Sequence, residues 1–226
     1  MNDHIVTAFS QELEQLFANI LRMGGLVEAM TNDACEAIVI GDVENANRIR
    51  LRDTQVNQLD AENEKMITEI IALRQPLARD LRSVLSALKT SNELERIGDL
   101  AKNIAKRAKP VAKTNRPSLL KGISELNSAV IGQLSGVLDA YRNQDAEQAI
   151  RIWDQDDKID KIYTAYCKDV LSEMKAHPDL ISDGMHILFI AKNLERIGDL
   201  VTNIAEFIYF LVTGNYLTLT ERLDID

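Results

Sequence analysis

The chain has 226 residues, enough for a substantial buried core, and its formal net charge of −9 excludes general binding to a nucleic-acid backbone, which selects a basic face. With 46% hydrophobic but only 5% aromatic residues, 10 Gly and 4 Pro, it is too poor in turn and aromatic residues for a sandwich or barrel, and its composition favours helix. Residues 1–116 hold 16 Lys/Arg against 17 Asp/Glu and the remainder 10 against 18, so the acidity lies in the second half and suits a cation or a basic partner.

Apolar residues recur at helical spacing along almost the whole chain. A first helix is expected over about Gln11 to Ile40, with Leu13, Leu16, Phe17, Ile20, Leu26 and Val27 on its inner face and Gly41-Asp42 at its end. Asp42 caps a second helix whose stripe runs Val43, Ala46, Ile49, Val56, Leu59, Met66, Ile70 and Leu73. Pro76 stops it, because proline lacks a donor and disfavours helix in the residue before it. A third helix runs from about Leu77 to Lys109. The stretch from Lys109 to Leu119, containing Pro110, Thr114, Asn115, Pro117 and Ser118, reads as a linker, and Asn115 or Ser118 opens a fourth helix reaching about Tyr141. Asn143-Gln144-Asp145 repeats the turn-and-cap logic of Gly41-Asp42. The fifth helix ends near His177-Pro178, and the sixth spans about Ser182 to Thr213 with Gly214-Asn215 as its C-terminal cap. The tail from Tyr216 to Asp226 is read as loosely held.

The dominant feature is an internal repeat. Leu94-Glu95-Arg96-Ile97-Gly98-Asp99-Leu100 returns unchanged as Leu194-Glu195-Arg196-Ile197-Gly198-Asp199-Leu200, and both copies continue into Asn-Ile-Ala at 103 and 203. Earlier, the segment from Asp42 matches that from Asp145 at an offset of 103, which aligns Asp53 with Asp156. The offset falls to 100 at the later motif, so three residues are lost near the turn before the last helix of each trio. The expected fold is therefore all-α, as two tandem three-helix bundles of six long helices. The first repeat is assigned to residues 1–112, the second to 117–215, and a tail to 216–226.

The N-terminus lacks the apolar core of a secretory signal, and no apolar run reaches the about 18 residues of a membrane span, which points to the cytoplasm. Cys35 and Cys167 lie in apolar helical surroundings and read as core residues of a reducing compartment.

Glu95 and Asp99 are four residues apart, so a helix projects both from one face, with Asn103 extending the stripe and Ile97, Leu100 and Ile104 opposite. Glu195, Asp199 and Asn203 repeat this against Ile197, Leu200 and Ile204. Carboxylates at that spacing repel unless a positive charge stands near. Three sources are open: Arg96 or Arg196 alongside, a cation held by oxygen ligands, or a basic partner protein. Glycine inside a helix costs about 1 kcal/mol relative to alanine, so Gly98 and Gly198 imply close approach by another helix or a ligand. The preceding helices add Asp53 with Asn57, and Asp156 with Asp160. A cation could thus draw on Asp156, Asp160, Glu195 and Asp199 in the second half. Asp53, Asn57, Glu95 and Asp99 offer one charge fewer in the first, so the second is expected to bind more tightly. Oxygen donors without His or Cys point to Fe, Mn, Mg or Ca over structural zinc. The plainer reading is a solvated polar face, which the duplication argues against.

Little else carries chemistry. His4 lies near the chain end, His177 at a turn, and His186 reads as structural. Trp153 reads as core or interface. The paired Glu-xx-His set of a di-iron carboxylate enzyme is missing, as are GxSxG, Walker A, GxGxxG and HExxH, so no catalytic residue is nominated. A metal-free helical scaffold and a carboxylate-bridged di-metal enzyme stand as alternatives.

Two copies of LERIGD followed by NIA on the third helix of each trio, with Met23-Gly24-Gly25-Leu26 and the RQPLARDLR segment from Arg74 to Arg82, resemble the PhoU family of phosphate-transport regulators across nearly the full chain. The resemblance implies a cytoplasmic, non-enzymatic, often dimeric protein that represses phosphate-starvation signalling. Its implied partners are the phosphate-specific ABC transporter, through the nucleotide-binding subunit, and a sensor histidine kinase, with membrane association through them. It further implies iron or zinc bound by Glu95, Asp99, Glu195 and Asp199, with Asp53, Asp156 and Asp160 matching acids of the preceding helices. Asn57 departs from an acid often found there, and Leu100 and Leu200 stand where a histidine frequently follows Gly-Asp. In this reading the acidic stripe docks a basic surface of the transporter or kinase. Arg74, Arg79, Arg82 and the basic residues from Lys102 to Arg116 face acidic partners or the membrane surface.

Overall fold

The structure, a computed structural model, describes residues 2–112 and 117–217, with side chains over 8–112 and 119–217. Among these, the chain is helical almost throughout: α1 (Asn2–Ile40), α2 (Val43–Arg74), α3 (Ala78–Ala105), α4 (Ala108–Val111), α5 (Pro117–Asn143), α6 (Ala146–Trp153), α7 (Asp156–Ala176) and α8 (Ile181–Thr213), with a 3-10 turn at Pro178–Leu180. The all-α fold of two three-helix bundles is as the repeat predicts. The proposed caps at Asn115 and Ser118 and most of the tail lie outside the described residues or side chains.

The punctuation works through side chains. Asp42 Oδ1 accepts the Asn45 N–H at 2.9 Å, and Asp145 Oδ1 accepts the Gln148 N–H at 2.9 Å, so both second helices open on the same cap. Gly41 and Gly214 take the left-handed conformation that ends α1 and α8, with φ of 75° and 78°. Ala78 and Ile181 open the third helices at an offset of 103, while the motifs they lead to are offset by 100, so the missing residues come out of the opening turns.

Two elements depart from the expected pattern. The fifth helix breaks into α6 and α7: the Gln155 N–H bonds to Ile152 O at 3.1 Å and the Lys158 N–H to Gln155 O at 3.0 Å, three-residue spacing that closes one helix and opens another. Asp154-Gln155-Asp156-Asp157 is polar throughout, and the break seats Asp156 and Asp157 in a first turn, where free N–H groups favour negative charge. The third helix ends at Ala105, short of Lys109. A new start at Ala108 moves Pro110 into the first turn of α4, where its missing N–H leaves no bond unmade. Leu73, assigned to the inner stripe of α2, is 74% exposed, because the core ends at Ile70.

Each bundle is closed by a glycine. A methyl group on Gly98 would stand 3.2 Å from Val56 Cγ1 and 3.5 Å from Val27 Cγ1, so α3 lies close against both α2 and α1. In the second repeat a methyl on Gly198 would stand 3.2 Å from Ile159 Cδ1 and 3.5 Å from Gln133 Oε1, on α7 and α5. The approach expected at these glycines is therefore by helices. Buried polar groups also tie α2 to α3: Asn63 Nδ2 donates to Ser91 Oγ at 3.0 Å, and Ser91 Oγ donates to Asp60 Oδ1 at 2.8 Å.

The bundles share one continuous core, in which α1 packs on its counterpart α5 and α3 on its counterpart α8. Both pairs are antiparallel. Lys89 in the first half of α3 lies over Phe207 near the end of α8, whereas Arg107 just after α3 lies 4.8 Å from the ring centroid of Phe189 near the start of α8. Across the other pair, Phe17 stacks on Tyr141 with centroids 4.8 Å apart, and Asn127 Nδ2 donates to Asn32 Oδ1 at 3.0 Å. Cys35 and Cys167 are unpaired thiols held up in pKa by burial, consistent with packing roles.

Asp42→Ala and Asp145→Ala should each lower stability in urea unfolding by about 1 kcal/mol, and additively, because the two caps are in different bundles.

Candidate functional site

The close packing at Gly98 sets what α2 presents to α3. Asp53 lies one turn before Val56 on the same face and reaches the stripe of Glu95 and Asp99; Asp156 lies one turn before Ile159 and reaches that of Glu195 and Asp199. The carboxylates of each repeat are thus assembled across two helices, as the aligned spacing anticipates. Asn57 and Asp160, one turn further on, are exposed.

In the first repeat the charge balance comes from a residue the motif reading overlooked. Lys102 Nζ donates to Asp53 Oδ2 at 2.7 Å and to Asp99 Oδ1. Asp53 is only 7% exposed, and its other oxygen, Oδ1, is buried without a hydrogen-bond partner. Burial works against the Lys102 charge, but the two carboxylates outweigh it, so its pKa lies above the ordinary lysine value. Glu95 receives less relief. Burial raises its pKa, and Asp99, Asp60 and Asp53 raise it further. Arg96, one of the expected counter-charges, turns away and pairs with Glu93 at 2.8 Å. Lys102 also leaves the basic surface to which it was assigned, and Arg74 is held by Glu12 through two hydrogen bonds of 2.9 and 2.6 Å.

In the second repeat that position is Thr202. Its single Oγ1–H is shared between Gly198 O at 3.1 Å and Asp156 Oδ1 at 3.2 Å, a weaker, neutral counterpart of the bond from Lys102 to Asp53. Lys192, exposed on the preceding turn of α8, donates to Glu195 Oε1 at 2.6 Å. Without a lysine at 202, Asp156 is raised in pKa by burial and then by Asp160, and Asp199 by burial and then by Glu195 and Asp156. The second set is therefore short of positive charge. Among the described residues, no three His, Cys, Asp or Glu side chains stand close enough to hold a metal ion as placed.

The two motif copies meet across the α3–α8 seam in a cleft of about 350 Å³, lined by Arg96, Asp99, Leu100 and Asn103 and by the same four residues of the second copy. Glu93 bridges its edge, accepting from Asn203 Nδ2 at 3.3 Å. Asp99 and Asp199 thus belong both to their own acid sets and to a common opening. His186 lies away from the acids, accepting from Arg107 Nη1 at 3.1 Å, and Trp153 Nε1 donates to Glu206 Oε1 at 3.0 Å. Lys102 could have been found in the sequence: it lies three residues after Asp99, on the same face, and is the one charged difference within the aligned stretch from Leu94 to Ala105 that faces the acids.

These features define an all-helical repeat protein with twin acidic faces opening on one seam. A family model described as the PhoU domain matches residues 20–108 and again 123–208. The phosphate-specific transport system accessory protein PhoU homolog of Caulobacter vibrioides (strain NA1000 / CB15N) is 42% identical, with 100% of this chain and 98% of the relative covered. PhoU of Escherichia coli (strain K12) is 36% identical over 95% of this chain and 89% of its own. The crystal structure of PhoU from Pseudomonas aeruginosa superposes with a TM-score of 0.88 at 35% identity, covering 92% of this chain and 100% of that one. The phosphate transport system regulatory protein PhoU from Streptococcus pneumoniae gives 0.87 at 30% identity, covering 93% and 100%. The chain belongs to the PhoU family.

Two outcomes test the electrostatics. Lys102→Met strands the buried Asp53 charge and should cost about 2 kcal/mol in urea unfolding, part of which Asp53→Asn in the same background restores. In the second repeat, replacing Asp156 and Asp199 by Asn should instead stabilise the metal-free protein at neutral pH by about 0.5 kcal/mol. Raised carboxyl pKa values mean that the fold binds protons more tightly than the unfolded chain. Their penalty therefore grows as pH rises through the native values and vanishes below the ordinary aspartate value of 3.8. Melting temperatures across the acid range should accordingly converge for wild type and double variant as pH falls.

Proposed function

We propose that this chain is a non-catalytic regulator of a phosphate-specific transport system. It acts in the cytoplasm as an adaptor between the nucleotide-binding subunit of the phosphate ABC transporter and a phosphate-sensing histidine kinase. In this role it holds the starvation response off while phosphate is plentiful. The observation that carries the reading is the match, over the whole chain, to relatives named as accessory and regulatory proteins of phosphate transport. The acids beside the α3–α8 seam support it physically. The cleft itself is balanced, with Arg96 and Arg196 beside Asp99 and Asp199, while Glu95, Asp156 and Glu195 add negative charge next to it that suits a basic partner surface. Charge complementarity of this kind sets partner choice and encounter rate. A homodimer would double that surface.

The second-repeat acids are the ones we assign to a divalent cation, with Asp156, Asp160, Glu195 and Asp199 as its holders. Iron and zinc are the metals the family resemblance implies, and manganese, magnesium and calcium also suit the oxygen donors. When bound, the ion would supply positive charge that relieves the repulsion raising Asp156 and Asp199. The donor set fits in chemistry, and side-chain rotation would be needed to close it around one ion. A metal-free scaffold is the second reading. It is favoured by the lysines, Lys102 and Lys192, that already stand against acids of each repeat.

Glu195→Ala with Asp199→Ala should leave the circular dichroism of the protein unchanged while derepressing a phosphate-regulated reporter in phosphate-replete cells. Survival of repression in that double variant would remove the acidic face from the mechanism. Metal analysis of untagged protein separates the two readings, an equivalent or more of bound ion favouring the first and its absence the second.

A further inference from the structure

Aligning the two acid sets residue by residue exposes a single exchange. Asp53 corresponds to Asp156, Glu95 to Glu195 and Asp99 to Asp199, and the group that reaches the first aspartate of each set, buried at 53 and half-buried at 156, is an ammonium at 102 but a hydroxyl at 202. From this we infer that Lys102 is a tethered cation, filling a divalent-cation site latent in the first repeat, so that each chain carries one exchangeable cation site and not two. The inference rests on the proposed cation role of the second-repeat acids.

Three observations support it. Lys102 Nζ stands between carboxylates of two helices, bonded to Asp53 at 2.7 Å and to Asp99, which is where an ion bridging α2 and α3 would have to sit. Its side chain is only 23% exposed, so it lies within the acid set and does not sweep solvent above it. Asp53 is more than nine-tenths buried and keeps Oδ1 unpartnered beside the ammonium. A carboxylate oxygen left bare in a low-dielectric place is a donor that a monopositive, three-hydrogen group has not used. A divalent ion with more coordination positions could take it. The charge arithmetic agrees. Asp53, Glu95 and Asp99 with Lys102 carry a net of about −2, whereas Asp156, Asp160, Glu195 and Asp199 with Lys192 carry about −3. The first repeat is therefore shut to dissolved cations by its own side chain, and exchange is left to the second repeat.

The test exchanges the two residues in the full-length chain and follows free Mn²⁺ by its electron paramagnetic resonance signal during titration, with circular dichroism as the check on folding. Wild type should take up one ion per chain, and Thr202→Lys should lose it. Lys102→Thr should gain one further ion, which Asp53→Asn in the same background removes. A folded Lys102→Thr protein that gains no Mn²⁺, or gains an ion indifferent to Asp53→Asn, overturns the inference. If wild type binds none but Lys102→Thr binds one, Lys102 still fills a latent site, while the cation role given to the second repeat falls, and with it the count of one site per chain. Should Lys102→Thr fold only when Mn²⁺ is present, the ion has replaced the ammonium, as inferred; failure to fold even then counts against it.

Discussion

Everything distinctive in this molecule depends on how closely the third helix of each repeat lies against the second. With a side chain at Gly98, Val56, 3.2 Å away, would have to give by a few tenths of an ångström, and Val56 lies one turn from Asp53 on the face of α2 that meets α3. The same dependence links Gly198, Ile159 and Asp156 in the second repeat. Glycine's disadvantage in a helix, about 1 kcal/mol against alanine, is accepted twice at matched positions. In return, acids from separate helices are brought within reach of one charge. The proposed function rests on that juxtaposition, because neither helix alone carries more than a solvated i, i+4 pair.

Once gathered, the acids must be neutralised, and the repeats do this differently. Lys102 sits inside the first set and makes it a structural ion pair, whose loss would strand the buried Asp53 charge away from water. Thr202 leaves the second set without an internal charge, and Lys192 approaches it only from the exposed side. The result is one repeat that behaves as a fixed part and one whose electrostatic state depends on its surroundings. This division agrees with the distribution of charge along the chain, in which the first 116 residues are nearly balanced and the remainder strongly acidic.

Most of the fold could be read from the residues because its signals are local. Asp42 and Asp145 cap the helices they were assigned to, Gly214 ends α8, and the apolar faces opposite the motif, Ile97 and Ile104 with Ile197 and Ile204, are buried. What escaped was set by contacts between helices. The break at Asp154-Gln155 lies in a stretch whose spacing is helical on both sides, and only the free N–H groups of a new first turn explain its position. Of the counter-charges open to the motif, Arg96 stands three residues before Asp99, but its guanidinium is taken by Glu93 at 2.8 Å, one turn back. Lys102, at i+3 from Asp99, shares its face. The placing of Asp53 and Asp156 beside the motif helices was legible, because the repeat alignment, unlike composition, carries information about contacts distant in the chain.

The seam between the repeats has a consequence of its own. Each helix that forms it, α1 or α3, packs antiparallel on its own counterpart, which is the arrangement of a two-fold homodimer joined end to end by a linker. In a dimer of identical halves, any lysine set among the acids of one protomer would necessarily stand in the other, and both pockets would be shut or both open. Covalent fusion lifts that restriction. It lets a single polypeptide keep one half as ballast and the other as a receptor, and asymmetry of this sort is available only to a gene that has been doubled.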